Sequence, residues 1–200
     1  MYRYSCVWLI LLMTSLSKFV ESQCVLFTPS SLPQDLASFL RASLDVPPQR
    51  RDSACIEFAL RRLEYQSSEE NAKLLVRYLD FARPHSEAER AGFAIHGLMT
   101  ETNMHPAIGT LSTFGKTAVP ALLSVIADPP SELVARYAIR ALMGVFRDRP
   151  FEGIELLKSE ASVSPPSKAA KFKAAAQTAL QWCGHQYRQQ CESAVRTNPQ

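Results

Sequence analysis

Tyr137-Ala138-Ile139-Arg140-Ala141-Leu142-Met143 is the stretch on which the fold turns. Ala138 and Leu142 stand four positions apart, so both fall on one face of a helix. The pattern recurs at Phe93-Ala94-Ile95-His96-Gly97-Leu98-Met99 and at Phe58-Ala59-Leu60-Arg61-Arg62-Leu63. A fainter copy is Ala175-Ala176-Gln177-Thr178-Ala179-Leu180. The steps from Ala59 to Ala94, Ala94 to Ala138 and Ala138 to Ala176 are 35, 44 and 38 residues. Periods of this size are those of stacked helical repeats.

The prolines keep the same register. Pro47-Pro48, Pro84, Pro129-Pro130 and Pro165-Pro166 each precede one copy. Proline stops one helix and permits the next to begin. A helix starter follows each time: Asp52 and Ser53, Ser86 with Glu89 as a capping box, Ser131, and Ser167. The segments upstream of the prolines, 33–44, 69–82, 116–127 and 151–161, also have helical patterns. Pro106–Phe114 adds a short helix before Gly115, which accounts for the longest step. The expected architecture is therefore all-α, with about four antiparallel helix pairs over 32–183. An irregular helical bundle is the alternative, and it is all-α as well.

Thr117-Ala118-Val119-Pro120-Ala121-Leu122-Leu123, then Asp128-Pro129, Val134 and Ala138-Ile139-Arg140-Ala141-Leu142, resembles a HEAT or armadillo-type repeat. The likeness covers Ser86 to Arg147. Where the family carries Val-Arg after the turn, Val134-Ala135 stands here, with the arginine at Arg136. The resemblance implies a right-handed α-solenoid and protein binding on its concave face, where the second helices line up. Such motifs specify a fold better than a function.

The chain has 200 residues, 46% of them hydrophobic, enough for one domain with a real core. Only 7 glycines argue against a turn-rich β fold, and a net charge of +3 is too small to imply nucleic acid. Residues 1–22 have the layout of a secretory signal: Arg3, the apolar run Cys6 to Met13, then Val20 and Ser22 before a cut at Gln23. That run falls far short of the roughly 20 residues of a membrane-spanning helix, which favours cleavage over a retained anchor. The expected organisation is a signal peptide (1–22), a leader (23–31), the repeat domain (32–183) and a C-terminal cap or tail (184–200). The protein is then secreted or periplasmic, without a stable membrane span.

After export, Cys24, Cys55, Cys183 and Cys191 remain, an even number that suits two disulfides in an oxidising compartment. Three pairings are open, and buried free thiols are the alternative to any of them. Nearness in sequence favours Cys24–Cys55 and Cys183–Cys191. The second pair cannot form along one straight helix, but Gly184 lies just after Cys183 and can end that helix, letting the tail fold back.

One column of the repeats is polar amid apolar neighbours: Arg61, His96, Arg140 and Thr178. Arg136 lies one turn before Arg140. In a stacked array such positions form a ladder. Arginines so placed suit an acidic segment of a protein partner, because each fork can donate two parallel hydrogen bonds. The alternative is a solvated face whose arginines pair with neighbours such as Glu57 and Glu132. Met99, Met143 and Trp182 suit either a binding surface or the core.

Chemistry-bearing motifs are scarce. His85, His96, His105 and His185 include no pair at i, i+4, and the chain has no His-Glu-x-x-His or Cys-x-x-Cys. No metal site, cofactor site or catalytic residue is expected. Gly109 to Thr117 resembles a phosphate-binding loop with one residue too many, but its flanks are helical, and such a loop must follow a β-strand. Gly115 is better read as a helix breaker. No Gly-x-Ser-x-Gly elbow is present. Glu87 and Glu89 sit at a helix start, where they favour the dipole. The expected function is an exported, non-enzymatic scaffold for protein–protein binding. The alternative is an enzyme or lyase on the same scaffold, with clustered titratable groups in a concave pocket.

Overall fold

The computed structural model describes Cys24, residues 32–85, 87, 90–91 and 100–196. The expected signal, most of the expected leader, the copy at 93–99 with His96 and Met99, and the expected capping box of Ser86 and Glu89 lie outside the described residues. The described residues contain ten α-helices and no strand. They are α1 (Leu32–Leu44), α2 (Ser53–Arg62), α3 (Glu69–Leu75), α4 (Glu101–Met104), α5 (Pro106–Thr113), α6 (Val119–Ala127), α7 (Glu132–Val145), α8 (Pro150–Val163), α9 (Pro166–Ala179) and α10 (Arg188–Arg196).

The helix starts follow the sequence closely. Asp52 caps α2 by accepting from the Cys55 amide at 3.0 Å. Ser131 caps α7 by accepting from the Val134 amide at 3.2 Å. Each removes one orphan donor of the first turn, worth about 1 kcal/mol. α9 differs by one residue: Pro166, not Ser167, opens it, a position where the missing N–H is no loss. Pro106 and Pro150 open α5 and α8 in the same way. Gly115, with φ 60°, ends the α5 region in the left-handed conformation that glycine adopts without strain.

Two expected helices are shorter in the structure. The segment expected over 69–82 is α-helical only to Leu75 and closes in a 3-10 turn, Val76–Tyr78. Pro84 disfavours helical geometry at Arg83. Arg83 instead reaches across to Glu57. The helix expected from Lys116 begins as a 3-10 turn, Gly115–Ala118. Pro120 has no N–H to donate to the Lys116 carbonyl, so Val119 donates to it in 3-10 fashion.

The helices build one continuous core running from Leu36 to Ala194. α1 packs on α2 and α3, α3 on α5 and α6, and α6 on α7. A second series of neighbours runs α2, α5, α7, α9. The short helix at 106–113 is thus no mere insertion. It lies against both α2 and α7. Thr110 Oγ1 donates to the Leu60 carbonyl at 2.8 Å, and both groups are buried. On its other side, α5 meets α7 where a glycine is required. A Cβ on Gly144 would overlap Ser112 Oγ and lie 2.8 Å from Ser112 Cβ.

Both expected cysteine pairs are at bonding distance. Cys24 and Cys55 have Cα atoms 4.9 Å apart, and Cys183 and Cys191 6.6 Å. Gly184 follows the end of the 3-10 turn Leu180–Trp182, and the chain turns back into α10. The tail is therefore a docked helix. α10 packs on α8, and Lys158 Nζ donates to the Ala194 and Val195 carbonyls at 2.7 and 3.1 Å, capping its C-terminus with a positive charge. No helix among the described residues is long and apolar enough to cross a membrane. That and the two cysteine pairs are compatible with an extracellular protein.

Gly144→Ala should lower the urea midpoint, costing about 1–3 kcal/mol from overpacking against Ser112 despite alanine's better helix propensity. The penalty should be smaller in a Ser112→Gly background, and a double-mutant cycle on the unfolding free energies checks this coupling.

Candidate functional site

A carboxylate inside a helical core must be paired, because an isolated buried charge is costly. Glu57, on the inner side of α2, has only 7% of its side chain exposed. Arg83 Nε meets its Oε2 at 2.6 Å, and Arg61 Nη2, one turn along α2, meets Oε1 at 2.9 Å. Arg61 Nη2 also donates to the Asn103 carbonyl at 2.9 Å. Arg83 Nη2 lies 3.2 Å from His85 Nδ1. This network joins α2, the segment after α3 and the end of α4.

Next to it lies a second polar group. His105 occupies the junction of α4 and α5. Its Nε2 is 2.9 Å from the Tyr137 hydroxyl, with the ring centroids 4.2 Å apart. Which partner donates depends on the imidazole tautomer. His105 Nδ1 is buried without a hydrogen-bond partner. Burial pushes the His105 pKa below its ordinary value, and the Phe81 backbone, Glu101 and Asp80 only partly oppose this. Burial likewise raises the Tyr137 hydroxyl, the nearby Glu101 adding to the effect.

The arginines of the repeat column, Arg61 and Arg140, and the neighbouring Arg136 do not gather at one point. Arg61 belongs to the Glu57 network on α2, as the pairing alternative expected for that residue. Arg136 Nη2 meets Glu101 Oε1 at 2.7 Å, with 52% of the arginine side chain exposed. Arg140 stacks over the Trp182 ring, its guanidinium carbon 5.8 Å from the centroid. α5 separates the helix of Arg61 from that of Arg136 and Arg140. Thr178 is half-exposed on α9. Met143 is a core residue, 2% exposed.

Sequence reasoning missed the His105–Tyr137 pair and Arg83. His105 and Tyr137 are 32 positions apart and Arg83 and Glu57 26, so local spacing gives no sign of either. Among the described residues, no cluster of three or more His, Cys, Asp or Glu could hold a metal ion. The segment 109–117 is α-helical to Thr113 and 3-10 from Gly115, with a single turn residue, Phe114, between, and follows no strand among the described residues.

Comparisons with protein-family models, with curated proteins and with solved structures found no match to this chain.

Removing Arg83 leaves Glu57 with Arg61 alone. Arg83→Met should destabilise the fold by about 2–4 kcal/mol, near the cost of breaking a buried pair, read as a lowered chemical-denaturation midpoint. His105 supplies a pH test. Its folded pKa is depressed, so the unfolded chain binds the proton more readily below the ordinary value of 6.5. Its stabilising contribution is complete above that pH and is lost as the pH falls. His105→Phe should therefore flatten the acid side of the stability profile; equal slopes for variant and wild type would remove this role.

Proposed function

We propose that this protein is an exported, non-enzymatic helical-repeat scaffold, a right-handed solenoid of antiparallel helix pairs, that binds a protein partner through its concave face, at the exposed side of α7. The composition of that face supports the reading. Leu133, Arg136 and Arg140 follow one another at helical spacing along one side of α7. Leu133 is 49% exposed, large for an aliphatic side chain. Arg140 lies over Trp182. Arginine and tryptophan are the residues most enriched at the energetic centres of protein interfaces.

Energetics divide the arginine column. Arg136 is held by an exposed ion pair with Glu101, and such pairs are worth about 0–1 kcal/mol. A partner carboxylate can displace Glu101 at small cost. Arg61 is tied to a buried carboxylate and a backbone carbonyl, so recruiting it would leave Glu57 with Arg83 alone. The binding function therefore falls on Arg136 and Arg140, with an acidic segment as the matching chemistry. Export is supported by the signal-like layout of residues 1–22 and by the two cysteine pairs at bonding distance.

Arg136→Glu combined with Arg140→Glu should weaken partner capture from the exported fraction at least tenfold, about 1.4 kcal/mol, with an unchanged circular dichroism spectrum. Recovery of the same partner in the same yield by the folded double variant would overturn the proposal.

A further inference from the structure

We propose that the peptide bond Arg51–Asp52 is a processing site for an endoprotease that recognises paired basic residues, and that its cleavage yields two chains joined by Cys24–Cys55. The chain has two adjacent basic pairs, Arg50-Arg51 and Arg61-Arg62. A protease of this class holds its substrate extended, with two neighbouring cations in acidic pockets. Arg61-Arg62 cannot comply. Both residues end α2, Arg61 is bound to Glu57 and the Asn103 carbonyl, and Arg62 sits 5.4 Å over the Phe58 ring.

Arg50-Arg51 lies in the loop between α1 and α2. Asp45, Pro47, Pro48, Gln49, Arg50 and Asp52 are all exposed. Few bonds hold the loop closed. The Arg50 and Arg51 amides donate to the Pro47 and Pro48 carbonyls at 2.9 and 3.3 Å. The Arg51 guanidinium donates to the Val46 and Leu44 carbonyls at 2.8 and 3.1 Å, capping α1. A local opening that breaks these bonds presents the pair without unfolding the core. Asp52, not proline, follows the bond.

The second observation is what straddles the bond. Cys24 lies before it and Cys55 after it, with Cα atoms 4.9 Å apart. α1 is anchored independently: Leu36 and Leu40 are buried, and the Tyr78 hydroxyl bonds both Ser43 and the Leu40 carbonyl. Hydrolysis adds water across the amide, leaving a carboxylate on Arg51 and an amine on Asp52. The upstream piece stays in place. The new amine falls at the N-cap of α2, where positive charge opposes the helix dipole, so the cut loosens the start of that helix.

The cellular encounter rests on the export reading above, and the test has two arms. Folded, unreduced protein is treated with a subtilisin-like endoprotease specific for paired basic residues. One cut is expected, invisible on a gel without reductant, giving two bands with it and a new N-terminus at Asp52. Arg50→Gln leaves the Arg51 cap intact and should slow the cut at least tenfold. Resistance of the folded wild type, or a first cut elsewhere, overturns the proposal. In the second arm, protein is recovered from the medium of secreting cells, and a chain starting at Asp52 is expected. An exported chain intact across this bond overturns the proposal alone; retention inside the cell overturns the export reading and with it the encounter.

Discussion

The close approach of α5 to α7 sets the terms for the middle of the molecule. Gly144 lets the backbone of α7 come down on Ser112, and Ser112 Oγ donates to the Ile108 carbonyl at 2.8 Å. On its far side α5 is tied through Thr110 to the last turns of α2. An eight-residue helix has little stability of its own. Its order comes from these flanking contacts and from the burial of Ala107, Ile108 and Leu111. In return it bridges α2 and α7, and the short α4 that leads into it carries Glu101 to Arg136 and Asn103 to Arg61.

How far the sequence could be read depended on how local the cause was. Helix starts were legible because a cap acts over three residues, as at Asp52 and Ser131. Helix ends at proline were nearly as clear. The place of Arg83 was not, because its partner Glu57 is 26 positions away. Periodicity revealed the short helix at 106–113, but not that it packs between α2 and α7. Its decisive neighbours, Leu60 and Gly144, are far away along the chain. The cysteine pairing followed from nearness, and a glycine was available to turn the chain where the second pair needed it.

The candidate surface divides along the same line. A repeat column makes its members look equivalent, since spacing records position and not partners. The structure makes them unequal. Arg61 neutralises a buried carboxylate and belongs to the fold. Arg136 and Arg140 lie on the outside of α7, one held by an exposed carboxylate and the other by an aromatic face. His105 and Tyr137 belong with neither, since they pair with each other in a part-buried contact and burial lowers the His105 pKa.

The hydrogen bond from Thr110 to the Leu60 carbonyl also bears on the order of assembly. It joins residues 50 positions apart, whereas Cys183 and Cys191 are 8 apart. Closing a longer loop costs more chain entropy, by about 0.6 kcal/mol for each doubling of length. Neighbouring pairs such as α8 with α9 close short loops, whereas α5 completes its contacts only with α2 and α7 both in place. The docking of α5 on α2 thus closes a longer loop than the pairing of α8 with α9. An undocked α5 would leave its apolar side and the facing sides of α2 and α7 open to water, which places the exposed surface at the centre of the chain and not near its cysteine-paired ends.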